Sequence, residues 1–98
     1  MRLNREQQAR RLADDLESLL TGRLSERAFR TKYERDAEST LLPAIWPHLE
    51  HYLADGDIRE RDSAYRAMQH AEVEKLVRLL RAGAPDSELG SVHFLGRS

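Results

Sequence analysis

NREQQARRLADDLESLLTG, residues 4–22, reads as one complete amphipathic helix with its own start and stop signals. Ala9, Leu12, Ala13, Leu16, Leu19 and Leu20 recur at steps of three and four. At 3.6 residues per turn, that spacing lays one apolar stripe along a helix. Asn4 ahead of Gln7 is a capping pair: the Asn side chain accepts from an orphaned N–H and the Gln reaches back to the cap. Gly22 follows as the residue that enters the left-handed conformation at least cost and ends the helix. The pattern predicts a helix over about residues 5–21.

The same grammar repeats outward from this stretch. Ser25 is the next cap, Leu24 can staple onto Phe29, and Ala28, Phe29 and Tyr33 share a face, giving a shorter helix over about 26–36. The loop between these two helices is only a few residues long, so they are expected as antiparallel neighbours. Thr40 and Pro43 mark a third start, and Leu41, Leu42, Ile45, Trp46, Leu49, Tyr52 and Leu53 hold helical spacing as far as Asp55-Gly56. Pro47 removes a hydrogen bond inside that run, so the helix either begins late, near Trp46, or bends there.

Asp57 with Glu60 fits a capping pattern, and Asp62-Ser63 offers a second start, so 57–63 reads as a turn with at most one helical turn. The last helix is clearest from His70 to Ala82, where Val73, Leu76, Val77, Leu79 and Leu80 supply an apolar face that Tyr65 and Met68 could extend. Gly83 and Pro85 stop it. The expected architecture is all-α, an antiparallel four-helix bundle over residues 1–83. Residues 84–98 are expected as a flexible C-terminal tail from which Val92, Phe94 and Leu95 can dock.

Composition narrows the class. With 98 residues, 40% hydrophobic and 34% charged, the chain can build one core under a heavily charged surface, with stability of roughly 5–10 kcal/mol. Cysteine is absent, which excludes disulfides and thiolate metal sites. No apolar run reaches the ~18–20 residues of a membrane span, and no signal peptide opens the chain. A cytoplasmic domain is the expectation. Fourteen Arg stand against two Lys, and the net charge is −1. The charge is nonetheless segregated: +3 over residues 1–35, −6 over 36–74 and +2 over 75–98.

Catalytic patterns are missing: no Gly-rich phosphate loop and no nucleophile elbow, so the chain is not expected to be an enzyme or to hold a cofactor. His48 and His51 lie three apart, but a zinc site needs a third ligand that the sequence does not place. Asp55-Gly56-Asp57 fails as a calcium loop because Arg59 and Glu60 stand where an oxygen ligand and the turn glycine belong. Trp46, Tyr33, Tyr52 and Tyr65 sit among leucines at core spacing. Arg10, Arg11, Arg27, Arg30 and Lys32 alternate with acids, a solvated surface rather than a nucleic-acid stripe.

The feature that exceeds local explanation is the central acidic group: Glu50, Asp55, Asp57, Glu60, Asp62, Glu72 and Glu74. Its self-repulsion would be relieved by a positively charged partner, and such a cluster can imitate a polyanion. Asp55, Asp57 and Glu60 are expected at the centre of that contact, with the other four flanking it.

Leu19-Leu20-Thr21-Gly22-Arg23-Leu24-Ser25-Glu26-Arg27-Ala28-Phe29, with Tyr33 four residues on, resembles the opening of the colicin D immunity-like family. Tyr52-Leu53-Ala54-Asp55-Gly56-Asp57-Ile58-Arg59 is similar to that family's aromatic–Asp–turn–Arg segment, and Glu72-Val73-Glu74-Lys75-Leu76 to its acidic lead into a closing helix. The resemblance spans about residues 12–80, and it departs at His51, where an acidic residue is expected beside the tyrosine.

The resemblance implies a small helical immunity protein, monomeric when free. Such a protein binds the nuclease domain of a cognate toxin, typically a tRNase, and its carboxylates occupy the basic active-site cleft with no nucleic acid or membrane contact of their own. The rival expectation is a helical regulatory or adaptor module acting through an apolar protein–protein interface.

Overall fold

The cap expected at Asn4 forms in the computed structural model, which describes residues 4–34 and 42–89. Asn4 Oδ1 accepts from the Gln7 N–H at 2.8 Å and Gln7 Oε1 accepts from the Asn4 N–H at 3.0 Å. This pair opens α1 (Arg5–Leu20). Ser25 Oγ accepts from the Ala28 N–H at 3.1 Å at the start of α2 (Glu26–Glu34). Four more helices follow: α3 (Leu42–Ala54), α4 (Gly56–Arg61), α5 (Ser63–Arg81) and α6 (Asp86–Leu89). Among the described residues every regular element is a helix, six of them where the sequence suggested four.

Both long helices end the same way. Gly22 (φ +77°) closes α1 with the Gly22 N–H on Leu19 O and the Arg23 N–H on Ser18 O. Gly83 (φ +74°) closes α5 with its N–H on Leu80 O and the Ala84 N–H on Leu79 O. In each case the positive φ turns the N–H after the glycine back onto a carbonyl that the helix leaves unpaired, next to the bond from the glycine's own N–H.

Leu12, Ala13 and Leu16 of α1 are buried against α5, which contributes Val73, Leu76, Val77 and Leu80. Arg81 ties the same two helices at the surface, donating to Asp14 at 2.9 Å and to Glu17. Phe29 and Tyr33 add α2 to the core with ring centroids 4.8 Å apart, and the Tyr33 hydroxyl donates to Asp15 of α1. Ile45, Leu49, Tyr52 and Leu53 add α3, with Trp46 packed partly buried at the margin.

Two boundaries that the sequence left open are decided by the structure, and a third differs from the expectation. α3 does not begin late: it is helical from Leu42 through Pro47, whose ring lies on the exposed side. α5 begins at Ser63, the start offered by Asp62-Ser63, and runs a full seven residues ahead of the clearest part at His70, because Asp62 caps it by accepting from the Tyr65 N–H at 3.0 Å. Ala84–Leu89, assigned to a flexible tail, instead pack: α6 buries Leu89 completely, and Arg5 donates to Ala84 O and pairs with Asp86. The ends expected at Thr40, Leu41 and residues 35–36, and the apolar Val92, Phe94 and Leu95, lie outside the described residues. Leu89→Ala removes the buried anchor of α6. It is expected to destabilise the chain by roughly 2 kcal/mol, read as a lower urea midpoint at unchanged slope.

Candidate interaction site

The acidic turn meets α4, and α4 is docked in reverse of the usual polarity. Its buried residue is Arg59, 4% exposed, while Ile58 beside it is 37% exposed. Ile58 is the exposed large hydrophobic residue among those described. Long charged side chains are rarely buried unless paired, so the surroundings of Arg59 must satisfy its charge and its donors.

They do so from three helices. Arg59 Nη1 donates to the Tyr52 carbonyl and, at 2.7 Å, to Gln69 Oε1. Nη2 donates to Glu26 Oε2 at 2.8 Å, and the guanidinium lies 3.8 Å from the centroid of the Tyr52 ring. The Tyr52 carbonyl belongs to the last turn of α3, so the cation also meets the negative end of that helix. Gln69 turns its Nε2 to Asp55 Oδ2 (3.1 Å) and to the Tyr65 hydroxyl (3.0 Å), which itself donates to Asp55 Oδ2 at 2.7 Å. Gly56 makes room for this: a Cβ there would stand 3.0 Å from Glu26 Oε1.

The cluster tunes its neighbours. Burial raises the Tyr52 pKa; Arg59 pulls it down and Glu26 pushes it up, so the phenol remains neutral. Burial also lowers the His70 pKa, and Arg59 and Arg66 lower it further against an upward pull from Glu74. At neutral pH the His70 imidazole is therefore uncharged.

The seven acids singled out in the sequence have different fates. Asp55 is half-buried and turned inward, holding Tyr65 and Gln69. Asp62 is the cap of α5. Glu72 is partly buried, with Oε2 enclosed and without a hydrogen-bond partner among the described residues. Glu50, Asp57, Glu60 and Glu74 are exposed, and Asp57 reaches Arg61 loosely at 3.8 Å. An open depression of about 690 Å³ gathers Asp57 and Glu60 with Glu26, above Arg59, Arg66 and His70.

The structure thus brings two of the seven together and adds Glu26, Ile58 and Arg59, which the sequence reading had not placed at the site. The expected centre at Asp55 is corrected on this point, since its carboxylate already serves the fold. No family model, curated protein or solved structure matches the chain. Among the described residues no three metal-ligating side chains come together, and no helix is long and apolar enough to cross a membrane.

Proposed function

We propose that the chain is a non-enzymatic immunity protein that binds a cognate bacterial nuclease toxin, a tRNase in the closest reading, and blocks its cleft. It acts in the cytoplasm as a monomer, without cofactor, membrane or direct nucleic-acid contact, and α1, α2, α3 and α5 form the antiparallel four-helix bundle that carries the site. The observation that carries this reading is the outward presentation of Asp57 and Glu60 around the exposed Ile58, on a helix whose inward face is Arg59. Two carboxylates beside one apolar side chain suit a basic protein surface, where charge speeds the encounter and the desolvated apolar contact prolongs it. The similarity of Leu19–Phe29 and Tyr52–Arg59 to the colicin D immunity-like family points the same way. Glu50 and Glu74, also exposed, flank the contact in this reading, while Asp55 serves the fold through Tyr65 and Gln69 and Asp62 through the cap of α5.

An adaptor working through an apolar face is less well supported, because Ile58 is the exposed large hydrophobic residue among those described. The test is co-expression with the nuclease domain of a candidate toxin, for which a large neighbouring reading frame ending in a basic nuclease domain would be the first choice. The expected result is restored growth of a bacterial host poisoned by that domain, and a one-to-one complex in which its ribonuclease activity stops. Growth arrest that persists in the presence of the chain removes the proposal.

A further inference from the structure

We infer that Arg59 is the positioning residue of this site, and that it holds α4 to the fold as a polar latch that opens without the rest of the protein unfolding. The inference takes α4 as the contact segment proposed above, but it concerns how that segment is held.

Six residues are too few for a helix to persist in water on its own. What keeps α4 in place must therefore come from outside it, and Arg59 is the residue it buries. The apolar stripe that fastens α1, α2, α3 and α5 has no counterpart here, since Ile58 faces away from the core. α4 is fixed instead by hydrogen bonds from one guanidinium to Tyr52 of α3, Gln69 of α5 and Glu26 of α2.

Those bonds are unequal in their access to water. Gln69 is fully buried, whereas the Glu26 side chain is 46% exposed. The outer arm of the latch is therefore open to competing ions, and the inner arm is not. Asp57 and Glu60 lie two residues before and one residue after Arg59, so the direction in which both carboxylates point is set by the same guanidinium. A cation approaching those carboxylates from the depression also meets Glu26, the one latch partner that can be drawn away.

The experiment is native-state hydrogen exchange on the free full-length chain, comparing wild type with Glu26→Gln, Arg59→Lys and Arg59→Met. Glu26→Gln keeps the shape of the side chain and removes the charge. Exchange of the α4 amides is expected to rise roughly five- to thirtyfold, the range of a charge-assisted hydrogen bond with a half-exposed partner. Amides of α1 and α5 should be unchanged. Raising salt from about 50 to about 500 mM should reproduce the effect in wild type and add little in Glu26→Gln.

Arg59→Lys, which keeps the charge but cannot bridge three acceptors in one plane, should retain part of the protection lost in Arg59→Met. Unchanged α4 exchange in Glu26→Gln, or a rise shared equally by α1 and α5, overturns the latch; this holds even if Arg59→Met does not fold. No partner is present in the measurement, so an intact latch in a chain that protects against no toxin, and the reverse, are distinct results.

Discussion

Phe29→Ala is expected to lower the melting temperature by roughly 15–30 °C, the largest loss from any single truncation considered. Phe29 is completely buried, packs tilted against the Tyr33 ring and is one of two buried residues by which α2 joins the core. Removing a buried phenyl ring costs about 3–5 kcal/mol, from lost transfer energy together with the cavity left behind. In a domain of this size each kcal/mol shifts the melt by about 4–8 °C. The readout is thermal unfolding followed by far-ultraviolet circular dichroism. Phe29→Leu should recover much of the loss because it refills most of the volume. A shift for Phe29→Ala below about 5 °C would mean that α2 is not part of the cooperative core.

The second large effect concerns binding. If the chain binds a nuclease domain as proposed, converting Asp57 and Glu60 together to Lys is expected to weaken that complex at least about a hundredfold and to abolish protection of a poisoned host. Close charge pairs across such interfaces couple by roughly 1.5–7 kcal/mol each, and reversal turns that attraction into repulsion. The salt dependence of the association rate should flatten or invert. Because both side chains are exposed, the stability of the free protein should change by no more than about 0.5 kcal/mol per substitution.

Asp55→Asn is the informative contrast. Its carboxylate accepts from Tyr65 and Gln69, so the substitution should cost stability and leave the affinity of the folded protein nearly intact. Calorimetric titration alongside urea unfolding separates the two. Tight binding by the doubly reversed variant would move the contact away from α4.

Much of the fold is legible because helix punctuation is local chemistry. Asn4 with Gln7, Ser25, Gly22 and Gly83 each act within a turn of the chain, and each does what its residue type requires. The first part of α5 is harder to read, since the side chain it buries there is Gln69, a polar residue that interrupts the apolar period. The alternation of α4 misleads outright. Hydrophobic patterning would put Ile58 inside and Arg59 outside, and the reverse is found because three acceptors from distant positions meet at one point.

The site divides along the same line. A surplus of acids over residues 36–74 is visible as a sum. Which carboxylate steadies a tyrosine and which faces water depends on more distant neighbours, since Asp55 meets Tyr65 ten residues and Gln69 fourteen residues away, and the Arg59 acceptors lie 7 to 33 residues away. Leu89 lay hidden for a related reason. One leucine after a Pro-Asp turn carries no periodicity, and only the packed surface it enters distinguishes it from a loose end.

The two glycine closures carry a stereochemical consequence. A methyl group at either Gly22 or Gly83 would meet nothing within 4 Å, so neither position is short of space. What each demands is a backbone of the opposite hand to that of ordinary residues. A D-alanine would satisfy both and stiffen the unfolded chain, whereas its L-isomer would fit the volume and still strain the corner. At the ends of its two longest rods the molecule selects for chirality and is indifferent to bulk.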